Sequence, residues 1–325
     1  PRCGAHRAPS VGDARGGVMP GAAVAWLLAG VTGLVAWNAS LPEAEVSRLR
    51  RESEAAWRAA RVARAPCWVV LLHIHKAAGT TLCQLAQRQR LRVPRASPNC
   101  NHRGPRSDRL GVAKDAARLM EALRRRMAAV DFFANEFEGL RGALPLAAPV
   151  VYVTALRDPL ARVLSNWRFT GRRSILRGER PDTLWEYAMG PGPGPGPGGV
   201  LLPDRDNLEV KRLSGADSPI GEGAYLAARS RLRAFSVVLV LEEWPVTAPL
   251  LELKLGWRLP AEGERRNRGR PAEGLPAPNA STVAAIRAAL RWSFLLYEDA
   301  RGLSRLLLEE ARAEVGKREE GGEAR

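Results

Sequence analysis

The sequence predicts an α/β protein: a central parallel sheet of about five strands in a three-layer sandwich, with helices on both faces. Three observations carry this expectation. Continuous apolar runs at Trp68–Leu72, Val150–Ala155 and Ser236–Leu241 have the length and composition of strands buried on both faces. Helical periodicity separates them, which is the alternation that builds a parallel sheet. Polar and small residues follow the runs directly, where open α/β sheets gather their ligands. A chain of 325 residues can enclose one such domain of about 250 residues plus appendages.

In chain order, a short cytosolic segment, 1–17, is expected before Val18–Trp37, twenty residues without a charge. At about 1.5 Å per residue that run can cross a hydrocarbon core of about 30 Å. Arg2, Arg7 and Arg15 precede it, so the positive-inside rule predicts a single-pass type II anchor with the remainder lumenal. A cleaved signal peptide, with translation starting at Met19, and a buried core helix are the rivals. Trp37-Asn38-Ala39 lacks the small residues that cleavage prefers. Both membrane readings lead to the secretory pathway. Residues 38–65 read as a stem, because Glu43–Arg64 alternates charges around Val46, Leu49 and Trp57 at helical spacing. The main domain is expected over 66–313.

Between the first strand and the helix carrying Leu82, Leu85 and Ala86 lies a tight turn, His75-Lys76-Ala77-Ala78-Gly79-Thr80-Thr81. Backbone N–H groups at a helix N-terminus favour phosphate or sulfate. The lysine precedes the glycine, so this is not the GxxxxGK[ST] loop of ordinary ATPases and GTPases. Val93–Leu110 is expected as a long loop that includes His102, and Lys114–Val130 as an amphipathic helix. Asp131–Glu136 reads as a short aromatic strand whose Asn135 and Glu136 would face the crevice that holds Lys76.

After the second strand come Arg157, a helix start at Asp158-Pro159, and Ser165. Trp167, Arg168 and Phe169 would stack on a base or close the core. The Pro-Gly repeat 191–199 is a surface insertion without the three-residue period of collagen. Ala224–Arg233 predicts a helix, and Glu242 ends the third strand. The run Glu264–Arg270 is a basic loop, solvated or in contact with an acidic glycan. Asn279-Ala280-Ser281 is a glycosylation acceptor pattern; Asn38-Ala39-Ser40 abuts the apolar segment and should be unused. Helices close the chain over Thr282–Arg312, and 314–325 reads as a charged disordered tail.

The Lys76–Thr81 turn after an apolar strand resembles the 5′-phosphosulfate loop of Golgi-type carbohydrate sulfotransferases. Arg157 at a strand end with Ser165 eight residues later is similar to that family's grip on the 3′-phosphate of the donor, 3′-phosphoadenosine 5′-phosphosulfate (PAPS). Asn207–Gly215 resembles a further family segment near the nucleotide, from which Arg212 is carried over. The resemblance implies a P-loop-like sulfotransferase fold and a Golgi-membrane enzyme that sulfates a hydroxyl of a glycan or proteoglycan. Lys76 would then be catalytic, and residues 75–81, Arg157, Ser165 and Arg212 would bind the nucleotide without a metal. Relatives carry an Asn and Asp pair where this chain has Arg291, Trp292, Ser293 and Phe294 before Leu296-Tyr297, which weakens the match there. The general base is expected to be Glu136, with His102 as the rival. A kinase-like enzyme and a non-catalytic, membrane-anchored polyanion binder are the alternatives.

The formal net charge of +16 suits anionic ligands or a GC-rich coding sequence, since only five of the 50 basic residues are lysine. No nucleic-acid recognition motif accompanies it, so nucleic acid is not an expected partner. Four cysteines fit an oxidising lumen: Cys83 and Cys100 are close enough in sequence to pair, with free thiols as the alternative. Cys67 is expected as a small core residue and Cys3 as a reduced cytosolic one. No cysteine or histidine spacing suits a metal.

Overall fold

The computed structural model describes residues 35–36, 41–94, 99–101, 121, 129–136, 140, 144–180, 182–190, 202, 205–260, 275 and 277–322. In order these form β1 (Val35–Ala36), α1 (Glu43–Val62), β2 (Trp68–Leu72), α2 (Gly79–Arg88), β3 (Phe132–Asn135), β4 (Pro145–Leu146), β5 (Val150–Leu156) and α3 (Pro159–Leu176). There follow α4 (Leu184–Met189), α5 (Leu208–Ser214), α6 (Glu222–Leu232), β6 (Val237–Val240), α7 (Trp244–Thr247), α8 (Pro249–Leu255), α9 (Ala280–Ala289) and α10 (Arg291–Gly322).

The main sheet has four strands in the order β3-β2-β5-β6, every neighbouring pair parallel. Among the described residues this is one strand fewer than the five or so the sequence suggested; β1 and β4 form a separate antiparallel pair. All four strands of the main sheet are buried throughout, which explains why they read as unbroken apolar runs. Helix α1 packs against β5, α2 against β3, and α8 and α10 against β6. A satellite cluster joins Val163 and Trp167 of α3 to Leu184 and Tyr187 of α4 and Ile286 of α9.

Two expectations about the edges of the domain are corrected. Helix α1 is part of the domain, not a stem: Val46, Leu49 and Trp57 belong to the main core. Two of the charges that made it read as solvated are themselves buried and paired, Arg50 with Glu310 at 2.7 Å and Glu54 with Lys254 at 3.0 Å. Likewise 314–322, read as disordered, continues α10, where Glu314 accepts from Lys254 Nζ at 3.1 Å. Val35 and Ala36, near the end of the proposed membrane segment, are strand β1. Residues 18–34 and Cys3 lie outside the described residues, and among those described no helix is long and apolar enough to cross a membrane. Cys67 is buried, as expected of a core residue, and is disulfide-bonded.

His102, most of Lys114–Val130, the Pro-Gly repeat 191–199, the Asn38 acceptor pattern and the run 264–270 also lie outside the described residues. Cys83 and Cys100 form a disulfide with a Cα–Cα distance of 5.6 Å. Asn279 caps α9, exposed, its side-chain oxygen accepting from Ser281 N at 2.8 Å.

Candidate functional site

The chain runs from β2 to β3 on one side and returns to place β5 on the other, so the strand order reverses between β2 and β5. Such a reversal splays the flanking connections and opens a crevice at the strands' carboxyl ends. The register pairs Leu72 with both Asn135 and Thr154, and Leu156 with Val240. The segments just beyond those residues therefore converge: His73–Ala78 after β2, Glu136 after β3, Arg157 after β5 and Glu242 after β6.

The turn after β2 is held in an unusual backbone conformation. Lys76 and Ala78 have φ of 67° and 61°, the left-handed region that costs a residue with a Cβ about 1–2 kcal/mol. Ala77 N closes the turn onto Ile74 O at 3.1 Å. Ala78 is the N-cap of α2 and has no side-chain oxygen to offer, so the first-turn N–H groups lack a side-chain cap. A Cβ on Gly79 would stand 1.9 Å from His73 Nε2. Only glycine lets the buried His73 ring lie against the first turn of α2.

Glu136 is the best-connected carboxylate of the crevice. Its Oε1 is 2.7 Å from His75 Nδ1, and its Oε2 accepts from Asn101 Nδ2 at 2.6 Å and from Asn99 Nδ2 at 3.5 Å. His73 Nδ1 lies 3.5 Å from Oε2, within ion-pair range but without a hydrogen bond. Burial alone would raise the Glu136 carboxyl, but hydrogen bonds from His75 and Asn101 and the neighbouring His73 hold it at about 2. Burial pushes His73 down to about 4 against the pull of Glu136, so its ring is neutral near pH 7. The disulfide positions the two asparagines: Cys100 lies between them, and its carbonyl accepts from Ala134 N at 2.8 Å beside β3. Thr80 Oγ1 adds a bond to Asn99 Oδ1 at 2.7 Å.

On the other side of the reversal, Arg157 Nη1 donates to the Lys76 carbonyl at 3.4 Å, and its Nε stands 3.7 Å from Glu242 Oε1. Glu242 is itself occupied, accepting from Asp158 N at 3.1 Å and Tyr297 Oη at 3.0 Å. Burial lowers the pKa of Arg157, with Glu242 opposing. Burial also lowers that of Lys76, and Arg157 pushes the same way. The Lys76 ammonium has no ion-pair partner among the described residues; it lies 4.2 Å from the centroid of the Phe169 ring.

Of the residues singled out in the sequence, His75–Thr81, Glu136 and Arg157 come together at the strand ends. Arg212, on α5, lies near enough to His73 to depress its pKa further. Ser165 is half-buried in the second turn of α3, with no described contact to Arg157. Trp167 closes the satellite core and donates to Asp182 O at 2.8 Å, whereas Phe169 stays exposed. The sequence reading missed three participants. His73, the residue just after the Trp68–Leu72 run, was assigned no role, and Asn99 and Asn101 reach Glu136 only through the disulfide-tethered segment. The Ser-Pro-Asn-Cys-Asn composition around Cys100 was the available signal.

A concavity of about 210 Å³ between α6 and α10 is lined by Arg229, Asp299 and Leu306 but by none of these residues. Its charges are paired, Arg229 with Asp299 at 3.3 Å, and it is not part of the site. Comparison with family models, with curated proteins and with solved structures finds no match for this chain.

Proposed function

We propose that this protein transfers a sulfuryl group from PAPS to a hydroxyl of a glycan or proteoglycan. The observation that carries the reading is the meeting of Lys76 and Arg157 across the strand-order reversal, with the uncapped N-terminus of α2 between them in sequence. Sulfuryl transfer, like phosphoryl transfer, asks the protein mainly to position reactants and to stabilise charge on the leaving oxygen. In this reading the Lys76 ammonium neutralises the bridging oxygen, the backbone of 78–81 receives the 5′-phosphate, and Arg157 with Ser165 grips the 3′-phosphate. Arg212 adds positive potential from α5. The kinase-like alternative would need a lysine after the glycine of the loop, which the sequence lacks.

The roles of His75 and Glu136 follow from their 2.7 Å contact. A carboxyl held at about 2 and engaged by His75 and both asparagines is a weak base, so Glu136 serves as the orienting acceptor. It fixes the His75 tautomer with the proton on Nδ1, which leaves Nε2 to take the acceptor hydroxyl's proton as the oxygen–sulfur bond forms and the bond to the leaving phosphate breaks. This assigns the base to His75, in place of the Glu136 or His102 of the sequence reading. The disulfides at Cys83, Cys100 and Cys67 favour an oxidising compartment such as the Golgi lumen.

The test is incubation of the purified protein with radiolabelled PAPS and a panel of glycans. Label should pass to a glycan, and Lys76→Ala should lower turnover at least about a hundredfold while moving the affinity for adenosine 3′,5′-bisphosphate far less. Binding of that nucleotide with no transfer to any glycan would favour the non-catalytic polyanion binder. Absence of nucleotide binding would remove the reading altogether.

A further inference from the structure

We propose that Phe169 is a positioning residue for Lys76, its ring face holding the ammonium at the mouth of the crevice before any anion arrives. Phe169 projects from α3 with 43% of its surface exposed, although a phenyl ring gains most when buried. Two cations lie by it, Lys76 Nζ 4.2 Å and Arg173 Cζ 5.7 Å from the ring centroid. The His75 ring approaches in an edge arrangement, centroids 6.3 Å apart at 69°. An exposed aromatic that lies against two consecutive residues of the β2 turn therefore joins α3 to that turn.

The contact answers a need of the lysine. Its ammonium is partly desolvated and faces the positive charge of Arg157, Glu136 attracts it only from a distance, and no carboxylate pairs with it among the described residues. The negative face of an aromatic ring attracts such a cation without covering it on all sides, so the ammonium keeps donors free for an incoming anion. The left-handed backbone at Lys76 fixes where its Cβ points, but four further rotatable bonds remain, and the ring restricts them. A carboxylate here would compete with the anion; a ring does not. The catalytic consequence rests on the proposed role of Lys76, whereas the contact itself does not.

The experiment uses protein labelled with 13C-lysine, whose five lysines keep the spectrum simple, and Lys76→Arg to assign the Lys76 signal. In the wild type the protons beside Nζ should be displaced upfield by the ring current. Phe169→Leu should abolish that displacement and lower the midpoint at which Lys76 loses its proton, and Phe169→Trp should preserve both. With PAPS and an accepted glycan, Phe169→Leu should lower kcat by about threefold to tenfold with the donor KM within about twofold, and Phe169→Trp should restore it. A Lys76 signal like that of an exposed lysine in the wild type, or unmoved in Phe169→Leu, overturns the proposal. So does equal loss of kcat in the leucine and tryptophan variants. If the wild type transfers nothing, the enzymatic reading fails, and the spectra still decide whether Phe169 positions Lys76.

Discussion

Lys254 and Lys76 are both withdrawn from water, but they are answered in opposite ways. Lys254 sits between α1, α8 and α10 with 1% of its side chain exposed, donating to Glu54 at 3.0 Å and Glu314 at 3.1 Å. Arg50, also buried, reaches Glu310 at 2.7 Å and the same Glu54 at 3.4 Å. Every cation of this brace is met by carboxylates. At the crevice Lys76 meets a ring, and Arg157 has a carbonyl at 3.4 Å and a carboxylate at 3.7 Å. Where charge serves the frame it is neutralised internally; where it is left with weak partners it is available to a ligand.

Replacing each lysine by methionine is the sharpest way to break that comparison. Lys254→Met leaves Glu54 buried and short of a partner, so it should cost about 3–5 kcal/mol in urea unfolding. Lys76→Met removes a cation that no carboxylate needs and should leave stability within about 1 kcal/mol. Comparable losses from both would show that the two regions do not differ as the distances suggest.

The tether over Glu136 comes next in size. Opening the Cys83–Cys100 link, which spans a sequence separation of 17, should cost about 3 kcal/mol. Because Asn99 and Asn101 flank Cys100, Cys83→Ser should also loosen their hold on Glu136. Unfolding titrations read the first effect. The second appears as a pH dependence of stability below pH 5 that is weaker in Cys83→Ser than in the wild type. An unchanged acid limb would mean the disulfide does not position the asparagines.

The unequal legibility of the two regions has the same physical origin. The central strands β2, β5 and β6 could be read because burial on both faces leaves an unbroken apolar signature. The β2 turn and Arg157 could be read because a tight turn and a capped helix start need particular residue types at fixed spacing. The brace was illegible: Arg50, Glu54 and Glu314 in sequence are ordinary charges on helices, and only their pairing with residues of α8 and α10 reveals that Arg50 and Glu54 are buried and that Glu314 belongs to the same network. That is why α1 read as a stem and the end of α10 as a tail. At the site, Glu136 was found from its place at a strand end, but its occupancy by His75 and two asparagines depends on a segment brought in by a disulfide. Its part in the chemistry therefore reads differently once the contacts are known.

The smallest effect expected is in the acid response of His73, and it isolates the interior side of the crevice. His73 is buried against Gly79 with Glu136, His75 and Arg212 as its charged or titratable neighbours. Its pKa falls from an unfolded value of 6.5 to about 4, so below pH 6.5 the unfolded chain takes up a proton that the folded chain refuses. Stability from this group is therefore full above about pH 6.5 and is lost as pH falls through about 4, on the order of 1–3 kcal/mol in all. Glu136 acts in a lower window. Its carboxyl is depressed from 4.5 to about 2, so its contribution is present above about pH 4.5 and disappears as pH falls towards 2. His73→Gln should flatten the stability profile between pH 6.5 and 4 and leave the lower limb in place, whereas Glu136→Gln should flatten the lower limb. A His73→Gln profile that keeps its full slope from pH 6.5 to 4 would place the acid response elsewhere and show that the ring behind Gly79 is not held neutral by burial.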